Sequence, residues 1–88
     1  MKKRGTKKAV AIRYDPDDAA PRVVALGKGE IAQKIIEIAR EKEVPIMEKP
    51  EIVEQLIDLQ LNQEIPSALY ELIAEVLAFI YRLNEKMK

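Results

Sequence analysis

The densest group of potential ligands in this 88-residue chain is Asp15, Asp17 and Asp18. Three carboxylates so close together could hold calcium. An EF-hand loop, however, needs glycine at its sixth place and glutamate at its twelfth. Counted from Asp15, those places hold Ala20 and Leu26, so the segment reads as a polar turn. A second candidate is Gly27-x-Gly29-x-x-Ala32, between a predicted strand and a predicted helix, with Glu48 at about the spacing of a ribose ligand. That is the pattern of a dinucleotide-binding turn. Two features weigh against it. Glu30 puts a carboxylate where the pyrophosphate would sit, and the chain holds one strand–helix–strand unit rather than two. Glycines that let a strand turn sharply into a helix explain the run more simply. Carboxylate pairs at one-turn spacing, Glu37/Glu41 and Glu71/Glu75, complete the list. With no histidine and no cysteine in the chain, the usual general base and the soft metal ligands are both missing. The pairs therefore read as solvated helix faces, and neither catalysis, nor a cofactor, nor a metal site is expected.

The composition, 48% hydrophobic and 34% charged residues, belongs to an ordered globular chain with a modest core. The length makes residues 1–88 a single domain. No apolar run approaches the ~20 residues that cross a bilayer, because Glu71 and Glu75 interrupt the best one. No apolar segment follows the basic start as a secretory signal would require, so a cytoplasmic protein is expected. The formal net charge is zero, but its distribution is uneven. Residues 1–14 carry Lys2, Lys3, Arg4, Lys7, Lys8 and Arg13 and no acid, and the rest of the chain is acidic by the same margin. Residues 1–7 are expected to form a flexible basic arm. Such an arm could touch nucleic acid, an anionic surface or an acidic partner, and a small nucleic-acid- or ribosome-associated protein is the alternative reading. No aromatic residue accompanies these bases as a stacking platform.

The elements that must position any site follow from periodicity. Lys8–Tyr14 alternates, with Val10, Ile12 and Tyr14 on one face, as a half-buried strand does. Arg22–Leu26 forms a second, antiparallel strand after the turn-rich segment 15–21. A helix over about 30–43 is expected to turn Ile31, Ile35, Ile38 and Ala39 to the core. Val44-Pro45-Ile46-Met47 is placed as a third strand, reached by a parallel right-handed crossover. Pro50 opens a short helix. The longest periodic run goes from Pro66 to Leu83, with proline suited to a first helical turn. Its stripe Leu69, Leu72, Ile73, Val76, Ile80 and Leu83 is assigned to the core. A second stripe, Tyr70, Ala74, Leu77 and Tyr81, lies beside it. With Phe79 the apolar arc reaches roughly 220°, more than one sheet can cover. The expected class is α/β: a small mixed sheet of about three strands packed with three helices, the last one long.

Several segments together resemble the cytoplasmic domain of the FlhB/YscU family, the switch proteins of flagellar and other type III export gates. They are Ala9-Val10-Ala11-Ile12-Arg13-Tyr14-Asp15, Ala20-Pro21-Arg22-Val23-Val24-Ala25, Gly27, Ile31–Ile35, Val44-Pro45-Ile46 and Ile65-Pro66 through Leu83. The resemblance spans about 4–83. Members of that family have an N-terminal membrane part, and they cleave themselves between Asn and Pro of an Asn-Pro-Thr-His motif just before the first of these strands. Here Arg4, Gly5, Thr6 and Lys7 occupy the four places, and only threonine is retained. Arg4 has no side-chain amide to attack its own carbonyl, so no autocleavage is expected. Because Met1 stands so close to the degenerate motif, the resemblance suggests a stand-alone short FlhB-like protein, similar to the already cleaved half. The strand that precedes the motif in the family has little counterpart in Met1–Lys3. The first strand is therefore expected to present an open sheet edge, suited to strand addition, with the membrane-bound half of an export gate as the partner.

The resemblance also implies a shallow apolar patch that binds export substrates. By alignment its members are Ala20, Pro21, Ala74 and Leu77, with Tyr70 and Tyr81 from the same helix stripe. Two readings stand for Leu77: the floor of an exposed depression, or core covered by the 15–21 loop. The function implied is a non-enzymatic part of, or accessory to, a flagellar or type III export apparatus, partnered by export-gate proteins and export substrates.

Overall fold

The computed structural model describes residues 7–15 and 17–86. Strand β1, Lys8–Arg13, pairs antiparallel with β2, Arg22–Lys28. The register runs from Lys8 opposite Lys28 to Ala11 opposite Ala25, then resumes with Ile12 opposite Val23. Val24 is the extra residue of that bulge, and it is pushed out to 39% exposure. The bulge keeps Val10, Ile12, Val23 and Leu26 on one face of the ribbon. The other face carries small residues over most of its length, Ala9 opposite Gly27 and Ala11 opposite Ala25, and ends in the pair Arg13 and Arg22.

That asymmetry decides what lies on each side. Helix α1, Glu30–Glu41, closes on the small-residue face. A Cβ built on Gly27 would stand 2.2 Å from Ile31 Cγ2 and 2.8 Å from Ile31 Cβ, so only glycine allows the helix this close. Gly29 supplies the left-handed turn between strand and helix, at φ 61°. The large-residue face is covered by helix α2, Pro50–Leu56, and by the C-terminal segment. Val23, Ile52, Leu56, Ile65 and Ile73 form the core there, and all are nearly or fully buried. Val10, Ile12, Leu26, Leu69, Tyr70, Val76 and Leu77 pack around them. The result is an α/β domain in three layers, with the sheet in the middle.

Three expectations need correction. Val44–Met47 is not a strand, and among the described residues the sheet has two strands rather than three. Val44 instead finishes α1. Its N–H donates to the Ala39 carbonyl at 2.8 Å and that of Glu43 to Arg40 at 3.1 Å, with Glu43 in the left-handed region at φ 59°. This is the hydrogen-bond pattern with which helices commonly stop. Beyond it no neighbouring strand stands among the described residues to hold the segment. On α1, Ile31 and Ile38 point outward, 60% and 48% exposed, and Ala32 is the buried residue. The close approach comes from the glycine on the strand side, where Ile31 Cβ and Cγ2 rest on Gly27 and bring Ala32 into full burial, and a count of apolar spacing overlooks this. The run from Pro66 is also not one helix. Pro66 is extended (φ −59°, ψ 143°), Ser67–Leu69 is a 3₁₀ turn, and helix α3 starts only at Ala74 and runs to Lys86.

Candidate functional site

The two edges of the ribbon differ. Beyond β2 the chain itself returns. Val23 N–H donates to the Gln63 carbonyl at 3.0 Å, Asn62 N–H to Val23 at 2.7 Å, and Ile65 N–H to Pro21 at 2.8 Å. Arg22 adds a bond to the Asn62 carbonyl at 2.6 Å and an ion pair with Glu64 at 3.2 Å. No described strand borders β1 on its other side. There a groove of about 670 Å³ opens. Its floor is the β1 main chain. One wall is α1 with segment 44–49, including Ile36, Ala39 and Ile46, and the other is α2 with Val76, Phe79 and Ile80 of α3. The basic side chains at the groove are partly tied down. Lys8 meets Glu54 of α2 at 2.6 Å, Lys7 donates to Gln33 of α1 at 2.7 Å, and Lys49 meets Glu75 of α3 at 3.1 Å. Helix α3 reaches past the edge of a ribbon this narrow. The stripe expected to be core is therefore divided: Ile73 is fully buried, Leu69 and Val76 pack against the core, Leu72 is 38% exposed, and Val76, Ile80 and Leu83 line the groove. The wide apolar arc of the last helix was the sequence signal for an uncovered surface, but it did not place that surface beside β1.

Of the expected patch, Ala20 and Pro21 are buried, Ala74 is exposed and Tyr81 is 56% exposed. Tyr70 and Leu77 are half-buried and pack against the core. The side of α3 that carries Tyr81 is pinned where Asn84 donates to the Tyr14 carbonyl at 2.7 Å, and Tyr14, Asp15, Tyr81 and Asn84 border a small hollow there. Glu85, one turn further on, raises the Tyr81 pKa by accepting its hydroxyl proton in a hydrogen bond. Of the degenerate-motif positions, Arg4, Gly5 and Thr6 lie outside the described residues. Lys7 is exposed, and its carbonyl accepts from Gly29 at 2.7 Å.

The acidic cluster is a turn. Asp18 N–H donates to the Asp15 carbonyl at 2.9 Å, and the Asp18 carboxylate accepts from Asp15 N–H at 3.1 Å. Arg13 reaches both carboxylates, at 3.1 and 3.4 Å. The Asp15 backbone hydrogen bond, with Arg13 beside it, holds the Asp18 carboxyl below its ordinary range. The glycine run is packing. Gly27 is filled over by Ile31, and it follows an antiparallel hairpin rather than a parallel crossover.

Among the described residues this is an α/β domain whose ribbon is bordered by segment 62–65 on one edge and by a groove with apolar walls on the other. Comparison with known proteins places the chain more narrowly. Residues 5–80 match the FlhB HrpN YscU SpaS Family, and the chain belongs to that family. It is 48% identical over 83 residues to the Bacillus subtilis protein named "Uncharacterized protein YlqH", covering 93% of this chain and 89% of that one. It is 40% identical over 81 residues to the flagellar biosynthetic protein FlhB of Aquifex aeolicus, but covers only 23% of that relative's length. The crystal structure of the cytoplasmic domain of FlhB from Shewanella putrefaciens superposes with a TM-score of 0.77 at 36% identity, covering 91% of this chain and 64% of that one. The PscU C-terminal domain superposes at 0.76 with 28% identity, covering 83% and 95%. Among the described residues, no helix is long and apolar enough to cross a membrane.

Proposed function

We propose that this chain is a non-enzymatic component of, or accessory to, a flagellar or type III protein export apparatus, standing in for the cleaved cytoplasmic switch domain. The observation that carries the reading is the open β1 edge beside an apolar groove, in a domain of the family named above. The chain acts in the cytoplasm, at the periphery of the inner-membrane export apparatus. Its first partner is the membrane-bound FlhB-like half of an export gate, whose terminal strand docks on β1. Its second partners are export substrates, taken up by Ala20, Pro21, Tyr70, Ala74, Leu77 and Tyr81, of which Ala74 and Tyr81 are exposed, Tyr70 and Leu77 half-buried, and Ala20 and Pro21 buried. No autocleavage takes place between Arg4 and Gly5, because arginine provides no nucleophile for it. A purified sample that splits there at mildly alkaline pH removes that part of the reading. Retention of the membrane-bound half on immobilised protein tests the rest. Binding is expected when that half carries its terminal strand and is lost when the strand is deleted. No retention of the strand-bearing form overturns the proposal.

A further inference from the structure

Helix α1 carries an apolar ridge that the domain leaves uncovered. Ile31, Ile35, Ile38 and Lys42 recur at helical spacing and make one row along its length. Ile31 and Ile38 are exposed and lie outside the groove beside β1, Ile35 between them is half-buried, and Lys42 stands exposed at the C-cap. Apolar side chains scattered singly over a surface need no explanation, but these three are neighbours on one face. The row beside them, Glu30, Lys34, Glu37 and Glu41, repeats the spacing, and all four are exposed. Ion pairs join β1 to α2, the N-cap of α2 to α3 and β2 to segment 62–65, yet none among the described residues involves α1. Glu37 accepts a hydrogen bond from Gln33 of its own helix at 3.1 Å.

We propose that this ridge is the interface of a homodimer, in which α1 packs antiparallel on α1 of a second copy about a two-fold axis. A closed two-fold pair presents the same patch on both subunits, so the patch must be complementary to its own reverse. The order of residues along α1 meets that condition. With the axis between Ile36 and Glu37, Ile35 packs on the partner's Ile38, and Ile38 on the partner's Ile35. Lys34 then faces the partner's Glu41, and Glu41 the partner's Lys34, at the flanking positions where opposite charges fix the orientation of paired helices. Glu30 comes within reach of the partner's Lys42, whose methylene stem lies along Ile31. The unfavourable pair is Glu37 with the partner's Glu37, and its carboxylate is held by Gln33 on the side away from the ridge. The ridge from Ile31 to Lys42 is ~16 Å long. One helix pair of that length is a small contact beside the ~1,200–2,000 Å² of a stable interface, so the dimer is reversible and builds up with concentration.

The test is sedimentation equilibrium of the full chain from micromolar to millimolar concentration, with circular dichroism to confirm that each variant is folded. A monomer–dimer equilibrium is expected, weakened at least tenfold by Ile38→Ser, which changes an exposed side chain. Lys34→Glu alone and Glu41→Lys alone each set like charges against each other twice across the axis, and each should weaken the dimer several-fold, less so at high salt. The two single variants mixed together regain both opposite-charge pairs, as does the double variant Lys34→Glu with Glu41→Lys, and both samples should dimerise as the parent does. A monomer at every concentration, a dimer indifferent to Ile38→Ser, or single charge variants that are not restored by mixing overturns the proposal. The claim goes beyond the export reading and is separable from it. A monomer leaves the β1 edge as it stands, and failure of the membrane-bound half to bind leaves the dimer as it stands.

Discussion

Replacing Gly27 by alanine adds a single methyl group where no room exists for it. The new Cβ would meet Ile31 Cγ2 at 2.2 Å and Ile31 Cβ at 2.8 Å. A rotamer change moves Cγ2 away at small cost, since Ile31 is 60% exposed. The Ile31 Cβ is fixed to the helix backbone, so relief of the second contact requires α1 itself to lift from the ribbon. Overpacking of this kind costs about 1–3 kcal/mol, and for a domain of this size each kcal/mol lowers Tm by about 4–8 °C. Gly27→Ala is therefore expected to lower Tm by about 5–20 °C in thermal unfolding followed by circular dichroism. Ile31→Ala alone removes exposed atoms and should cost under about 1 kcal/mol. Combined with Gly27→Ala it removes the nearer clash, so the double variant should be more stable than the sum of the two single effects by about 0.5 kcal/mol or more. Additive single effects, or a Gly27→Ala variant as stable as the parent, would refute the close-approach argument. Since α1 forms one wall of the groove, the same variant should also weaken binding at the β1 edge.

Glu43 ends α1 in a left-handed conformation that costs a non-glycine residue about 1–2 kcal/mol. Glu43→Gly should raise stability by about 0.5–1 kcal/mol in urea titration after allowing for glycine's greater unfolded entropy. The Asp18 carboxyl is held below its unfolded value, so its contribution is present above that value and is lost as pH falls through the folded pKa. Asp18→Asn should flatten the loss of stability on acidification below about pH 4, read from melts across pH, and an unchanged slope would rule out the turn as its source. Tyr81→Asp changes an exposed side chain and should leave the fold intact while reducing capture of export substrates. Leu77→Asp, at a half-buried position against the core, should also destabilise by about 1–3 kcal/mol. If both variants bind substrates normally, that surface is not the substrate site.

The sequence by itself determined a good deal of this protein. Alternation placed both strands, Asp15–Asp18 marked the turn between them, and Pro50 marked the start of α2. The segments from Ala9 to Leu83 carried the family, because they record local backbone preferences and a linear order of side chains. What the tertiary structure decided is where each apolar stripe goes. Val44–Met47 has the composition of a strand, but a strand exists only when a neighbour accepts its main-chain hydrogen bonds, and that neighbour is not among the described residues. Ala32 is fully buried against the sheet, while Ile31 lays only its Cβ and Cγ2 over Gly27 and leaves most of its side chain exposed. The last helix was expected to lie on a core along its whole stripe. Among the described residues the ribbon has only two strands, so beyond Ile73 the stripe turns from core to groove: Val76 touches both, and Ile80 and Leu83 line the groove. Periodicity shows that a face is apolar, but only the positions of the neighbouring elements determine whether it is covered.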